Sequence, residues 1–194
     1  LFRSSDWEIY KGLAKRFSEI APEVLGKEKD IVLTPMQHDT AEHYEFYPFM
    51  NVGHFALYPL VDAKTKKELA GYYRENIENI VRRAKTNSYQ VGVPFLWCSN
   101  NLIVNFITQV FLYEKMTGDM QFHEIALAHR DWLFGRNPWG TTMFQGIPAN
   151  GETPQDTHLP TVQILKKQVV GGLVDGPVYA SIFNSLKGLR LNEA

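Results

Sequence analysis

Apolar residues recur at helical spacing in two segments that each begin with a capping box. Ser5 to Glu8 has the S-x-x-E form, and apolar residues follow it at helical spacing as far as Ile20. Thr65 to Glu68 is a second box, and the apolar face after it consists of Leu69, Tyr72, Tyr73, Ile77, Ile80, Val81 and Ala84. The opposite face of this second segment carries lysine, arginine and glutamate. The pattern therefore predicts two amphipathic helices, each with a solvated face.

Two other segments, 41–60 and 99–116, are apolar or aromatic nearly all round, which predicts buried helices. A further helix is predicted from Met120 to Phe134, opened by a Gly-Asp turn with an N-cap and ended by a glycine and a proline. A last helix follows Pro177 and carries Val178, Ile182, Phe183, Leu186 and Leu189. Amphipathic helices that alternate with buried ones are typical of two concentric helical layers, as in an α/α toroid. An irregular helical bundle would give the same periodicity.

Residues 137–177 lack a helical pattern, because proline, glycine and asparagine occur throughout them, as is typical of a loop. A loop of this length in a compact domain is usually functional or disordered. The embedded Trp139, Met143 and Phe144 argue against disorder. We expect an ordered loop that lies across one end of the helical domain.

The composition narrows the choice of partners and compartment only slightly. The 194 residues are 44% hydrophobic and carry a formal net charge of -1, which gives no reason to expect nucleic acid or an anionic membrane as partner. No apolar run approaches a membrane span, so none is predicted. Cys98 is the single cysteine, which excludes an intrachain disulfide. The chain opens at Leu1 without a signal peptide, and we expect it to be a piece of a longer protein.

The six histidines do not have the spacing of a metal site. His38 and His43 are five positions apart, and His123 and His129 are six apart, so neither pair shares one helical face as metal ligands would. His129 with Asp131 fits a satisfied core pair. The chain also lacks the G-x-G-x-x-G and G-x-S-x-G signatures. We predict no metal and no cofactor.

Asp39 and Glu42 are the carboxylates that could form a hydrolytic pair. A paired-carboxylate hydrolase needs one protonated and one ionised carboxyl group with room for a water between them. The alternative is that both residues sit at a helix N-terminus and stabilise its dipole.

Five motifs occur in a fixed order in the second half of the chain. They are VPFLWCSNN at 93–101, YEKMTGD at 113–119, HRDWLFGRNPWG at 129–140, TTMFQG at 141–146 followed by a loop with one histidine, and GGLVDGP at 171–177. This order resembles the C-terminal half of family 9 glycoside hydrolases, the endoglucanase family. That family has a G/C-S-N helix start, a Y-x-x-T-G-D turn, a helix ending in L-L-G-x-N-P, a histidine loop and a G-G-P segment.

The resemblance implies an all-α (α/α)6 toroid, incomplete in this chain, of which residues 1–194 form the C-terminal part of one catalytic domain. It implies a secreted or periplasmic enzyme that hydrolyses a β-linked glucan or related oligosaccharide with inversion. No D-A-G-D-like pair of the family's base is present, and Glu193 lacks the Asp and aromatic run that precedes the family's acid. We therefore assign no catalytic residue and expect the chain alone to be inactive. It would pair with the rest of its domain or with another chain, leaving Ile182 and Phe183 to contact that partner.

Four residues are predicted to lie near the sugar cleft: His158, Trp139, Arg136 and Trp97. The resemblance places His158 where the family's loop histidine contacts a sugar hydroxyl, but the arginine that usually follows is absent from residues 156–160. The flat face of a tryptophan ring suits a pyranose; the alternative for both Trp139 and Trp97 is a position in the hydrophobic core. Arg136 would supply the missing donor, or cap its helix.

Two other functions are left open. One is a non-catalytic carbohydrate-binding or scaffold protein on the same toroid, which the missing arginine near His158 favours. The other is a different α/α toroid enzyme, such as a polysaccharide lyase or a sugar epimerase.

Overall fold

The computed structural model describes residues 55–56, 58–95, 97–155 and 164–185. Within these ranges the chain forms a short 3-10 helix, Tyr58–Leu60, and four α-helices: α1 (Ala63–Ala84), α2 (Ser99–Thr117), α3 (His123–Leu133) and α4 (Ala180–Ser185). None of the described residues forms a β-strand. The predicted helix after Ser5, most of the segment 41–60, and the residues Asp39, Glu42, His158 and Glu193 lie outside the described residues.

Helix α1 has the predicted amphipathic character, but it begins earlier than predicted. Asp62 is its N-cap, and the Asp62 carboxylate accepts a hydrogen bond from the backbone N–H of Thr65 at 2.8 Å. The prediction that Thr65 opens the helix is therefore wrong, because an aspartate upstream caps the first turn as well as threonine would. The buried face contains Leu69, Tyr73, Asn76, Ile77, Asn79, Ile80 and Ala84.

Helix α2 packs against both α1 and α3, and the three helices share one hydrophobic core. Its inward side chains are fully buried, as Ile103 and Phe106 show. The prediction of burial on all sides is wrong, because Val104 and Phe111 lie on an outward face and are 37% and 53% exposed. Sequence composition could not reveal this exposed face, since the identity of an apolar residue does not indicate whether another part of the protein covers it.

The turn after α2 explains the YEKMTGD motif. Gly118 has a φ of 73° and donates its N–H to the Glu114 carbonyl at 2.8 Å, which ends the helix. The Thr117 hydroxyl donates to the Tyr113 carbonyl, and the Tyr113 hydroxyl donates to the Asp119 carboxylate at 3.0 Å. Asp119 was predicted to cap the next helix, but its carboxylate instead accepts from the Gln121 N–H. Helix α3 therefore begins three residues later than predicted, at His123.

His129 on α3 is fully buried, and both of its ring nitrogens have polar partners. Its ring Nδ1 lies 2.8 Å from the Ile125 carbonyl oxygen, and its Nε2 accepts a hydrogen bond from the Gly92 N–H at 3.1 Å. Burial lowers the pKa of His129 to about 4, so the ring is neutral at pH 7. The prediction of a satisfied core histidine is confirmed, but its partner is not Asp131, which instead pairs with Arg130.

Gly92 has to be glycine for reasons of space. A Cβ at this position would lie 2.0 Å from the carbonyl oxygen of Ile80 on α1. The Gly92 carbonyl also accepts from the Arg83 guanidinium at 2.7 Å. The segment between α1 and α2 thus passes directly against α1 and is fixed to both α1 and α3.

The described parts of the loop 137–177 are ordered, as predicted, by pairing of its two ends. Phe144 and Leu173 form an isolated antiparallel bridge. The Gln145 side chain is fully buried; it donates to the Gln155 carbonyl at 2.5 Å and accepts from the Val169 N–H at 2.7 Å. One glutamine therefore joins three separate parts of the loop.

Candidate functional site

A groove lies beside the N-terminus of α2, where residues 174–178 cross it. Its volume is about 580 Å³. The described residues that line it are Trp97, Cys98, Trp139, Met143, Pro154, Val174, Asp175, Gly176, Pro177, Val178 and Phe183. We call it the Trp97 groove. Four of the five sequence motifs contribute residues to its lining, and two tryptophans are among them.

The start of α2 holds the 174–177 segment in place through three hydrogen bonds. The Ser99 hydroxyl donates to the Pro177 carbonyl at 2.7 Å, and the Asn100 amide donates to the Val174 carbonyl at 2.8 Å. The backbone N–H of Asn100 donates to the Asp175 carbonyl at 3.0 Å. These bonds satisfy groups of the first helical turn that would otherwise lack partners. The S-N and D-G-P motifs, far apart in sequence, are therefore one structural unit.

Gly176 makes this close approach possible. Its φ is 94°, in the left-handed region that favours glycine. A Cβ there would lie 2.6 Å from the Asn100 amide carbon and 2.7 Å from the Ser99 hydroxyl oxygen. A side chain at this position would overlap the Ser99 and Asn100 side chains that hold the 174–177 segment, which lines the groove.

Trp139 is placed in the groove by the turn that follows α3. The buried Asn137 amide donates to the carbonyls of Trp132 and Thr141 at 2.8 and 2.7 Å, and its oxygen accepts from the Trp139 N–H at 3.1 Å. The Trp139 ring meets the buried Trp132 ring edge to face, with centroids 6.2 Å apart. The side chain of Trp139 is nevertheless 58% exposed. The N-P-W-G motif thus fixes the backbone of Trp139 and leaves much of its ring available to a ligand.

The lining of the Trp97 groove is largely aromatic and apolar. The rings of Trp97 and Phe183 lie 6.1 Å apart at an angle of 43°. Asp175 is the single charged residue among the described residues that line it. Such a lining suits a ligand with flat apolar faces and hydroxyl groups at its edges, as pyranose sugars have.

The four predicted binding residues do not all meet here. Trp97 and Trp139 line the same groove. Arg136 is exposed and is not among the lining residues, and its backbone N–H donates to the Asp131 carbonyl. Its predicted role stays a prediction, as does that of His158, which lies outside the described residues.

Sequence reasoning missed Asn137, which positions Trp139 in this site, and Gln145, which holds together the loop that follows it. Asn137 belonged to a recognised motif, but nothing in the pattern indicated that its side chain would brace Trp139. Gln145 gave no signal, because an isolated glutamine in a loop reads as a surface residue. Only the geometry shows that both side chains are buried.

Neither a metal site nor a membrane helix is present in the part of the chain that the structure describes. No three histidine, cysteine, aspartate or glutamate side chains there come together as metal ligands would. No helix in those ranges is long and apolar enough to cross a bilayer.

Solved structures with this helical arrangement give the fold class. The crystal structure of GH family 9 endoglucanase J30 matches with a TM-score of 0.57 and 25% identity, over 66% of this chain and 24% of that one. The Zn-binding triple mutant of the same endoglucanase matches with a TM-score of 0.57 and 26% identity, with the same coverage. The fold is therefore all-α, an incomplete (α/α)6 toroid. The chain spans about a quarter of the length of either endoglucanase.

The sequence comparison identifies the family. The profile of Glycosyl hydrolase family 9 matches residues 25–187, which is most of the chain. The chain belongs to this family, as the ordered motifs predicted.

A short stretch also resembles a different class of protein. It is 65% identical over 37 residues to the respiratory nitrate reductase 1 alpha chain of Escherichia coli, and 61% identical over 36 residues to the nitrate reductase 2 alpha chain of the same organism. The alpha chain from Bradyrhizobium sp. is 54% identical over 37 residues. Each match covers 19% of this chain, and this chain spans only 3–4% of each of these relatives. So short a match gives no function to this chain.

Proposed function

We propose that this chain is part of the catalytic domain of a glycoside hydrolase that cleaves a β-linked glucan or a related oligosaccharide. In this proposal residues 1–194 are the C-terminal part of that domain and supply one portion of its substrate cleft. The observation that carries the proposal is the meeting of Trp97 and Trp139 in one groove. These residues are 42 positions apart in sequence, and four of the five motifs that resemble the family contribute residues to the groove.

The chemistry of the groove supports a sugar as ligand. The exposed ring of Trp139 offers an apolar surface to the C–H face of a pyranose. Asp175, the single charged residue among the described residues that line the groove, adds a polar group to this apolar lining. Family 9 membership and the two endoglucanase neighbours point to the same ligand class.

The reaction we propose is a single displacement with inversion at the anomeric carbon. It needs a general acid and a general base about 6.5–9.5 Å apart, so that a water fits opposite the leaving group. We assign neither group to a described residue. Each typically contributes about 10²–10⁴-fold to the rate, so we expect the 194-residue chain alone to be inactive. The domain would be secreted or periplasmic and would act on polysaccharide or oligosaccharide.

A second candidate is a carbohydrate-binding protein that keeps the toroid without catalysis. The observation that favours it is the histidine loop, where residues 156–160 contain His158 but no arginine. A loop that loses a hydroxyl-binding cation would bind the reacting sugar less firmly.

The test uses the full-length protein and cello-oligosaccharides. We expect turnover, with the α-anomer as the first product in a proton NMR time course, and no turnover by the 194-residue chain. Binding without turnover would favour the second candidate. Release of the β-anomer would contradict the inverting mechanism. Turnover by the chain alone would contradict the proposed division of the domain, and loss of that turnover in Asp39→Asn would assign the base to this chain.

Binding variants test the cleft itself. Trp97→Ala, Trp139→Ala and His158→Ala should each weaken oligosaccharide binding with little change in melting temperature. Phe111→Ala is the matched control, because Phe111 is an exposed aromatic residue on α2 that lines no described groove. If the first three variants bind like the control, or unfold, the cleft lies elsewhere.

A further inference from the structure

A second groove also includes Trp139 in its lining. Its volume is about 540 Å³, and the described residues that line it are Trp139, Thr141, Thr142, Met143, Gly151, Glu152, Thr153, Pro154 and Gln155. We call it the Glu152 groove. It shares Trp139, Met143 and Pro154 with the Trp97 groove. The two grooves therefore adjoin at these three residues, and Trp139 is exposed there.

The lining of the Glu152 groove is more polar than that of the Trp97 groove. Several of its polar groups already have protein partners: the Thr153 hydroxyl oxygen accepts from the Gly146 N–H at 3.1 Å, and the Thr142 hydroxyl oxygen accepts from the Phe144 N–H at 3.2 Å. Glu152 differs from them, because it is exposed and has no hydrogen-bond or ion-pair partner among the described residues. Its carboxylate is the strongest hydrogen-bond acceptor left for a ligand here.

The charges around the two grooves restrict the class of ligand. Asp175 lines one groove and Glu152 lines the other, and no lysine or arginine is among the described residues that line either. A uronate chain would bring its carboxylates toward these acidic groups without a cation to offset them. A neutral chain would instead offer hydroxyl donors that the exposed Glu152 carboxylate accepts.

We propose that the Glu152 groove is a second sugar subsite, continuous with the Trp97 groove across Trp139, in which Glu152 accepts hydrogen bonds from the hydroxyls of a neutral glycan. This inference rests on the proposed function and extends it. Trp139 separates two neighbouring sugar units, and Glu152 selects neutral over acidic chains. The volumes of both grooves fall in the range of small-molecule sites, roughly 300–1,000 Å³.

The experiment measures dissociation constants of the full-length protein for cello-oligosaccharides from cellobiose to cellohexaose by calorimetry. Glu152→Gln keeps the shape of the side chain and removes its charge. We expect it to weaken binding of the longer oligosaccharides about tenfold, because a hydrogen bond to a charged group is lost, and to leave the shortest bound oligosaccharide unaffected. Glu124→Gln is the control, since Glu124 is an exposed glutamate on α3 that lines neither groove.

The outcomes separate this inference from the function on which it rests. If the wild-type protein binds no cello-oligosaccharide, the proposed function fails and the second subsite with it. If the wild type binds them but Glu152→Gln and Glu124→Gln give the same length profile as the wild type, only the second subsite is refuted. Tighter binding of oligogalacturonate than of cellohexaose by the wild type would overturn the neutral ligand class.

Discussion

The buried His129 predicts a loss of stability in mild acid. The ring is neutral in the folded protein, where Nε2 accepts from the Gly92 N–H, so a proton cannot add there without breaking that bond. Its pKa is lowered from 6.5 to about 4, mainly because burial disfavours the charged ring. The unfolded chain therefore binds a proton more readily than the folded one between these two values.

The sign and size of the effect follow from proton linkage. The stabilisation is fully present above pH 6.5, and it is lost progressively as the pH falls from 6.5 to about 4. At 1.36 kcal/mol for each pKa unit, the total is about 3 kcal/mol, of which about 2 kcal/mol is lost by pH 4.5. Asp62 and Asp119 have pKa values lowered from 3.8, so they titrate below this window.

The assay is urea denaturation of the protein at pH 7.0 and at pH 4.5, with the free energy of unfolding extrapolated to water. His129→Gln keeps an acceptor for the Gly92 N–H but cannot titrate. This variant should be less stable at pH 7 and should lose about 2 kcal/mol less than the wild type on acidification. A parallel loss in the wild type and in His129→Gln would refute the assignment to His129.

Three further perturbations test the packing and the site. Gly92→Ala should destabilise the protein by about 3 kcal/mol or more, because its Cβ would overlap a backbone carbonyl. Gly71→Ala, in the open middle of α1, should instead stabilise the protein by about 0.5–1 kcal/mol. Equal melting temperatures of these two variants would contradict this reasoning. Gly176→Ala should weaken oligosaccharide binding by the full-length protein at least as much as Trp139→Ala, because the added Cβ would displace the 174–177 segment that lines the Trp97 groove. An unchanged affinity in calorimetry would contradict the close packing of this segment against the start of α2. Gln145→Leu should cost about 1–3 kcal/mol in urea denaturation, because it removes two hydrogen bonds made by a fully buried side chain. A loss below about 0.5 kcal/mol would show that the loop does not depend on this side chain.

The sequence alone determined the helical class and the family. The amphipathic pattern of α1 is visible because one face must meet the core and the other must meet water, and the spacing of 3.6 residues records that requirement. The ordered motifs from 93 to 177 were sufficient to identify family 9, and the end of α3 at Leu133 was readable from the glycine and proline beyond it. These are local signals, because a residue and its near neighbours in sequence are sufficient to predict the helix or the motif.

The tertiary structure decided which residues meet and which faces stay open. Residues near position 97 and residues near position 176 come together because Ser99 and Asn100 donate hydrogen bonds across more than 70 positions of sequence. The exposure of Val104 and Phe111 on an otherwise apolar helix, and the burial of Gln145 in a loop, depend on what packs against each of them. Composition and periodicity report a side chain's own preference for water. The Trp97 groove, the buried Gln145 side chain and the exposed face of α2 all depend on contacts between residues that are distant in sequence. Such contacts leave no periodic pattern in the sequence around any one of these residues.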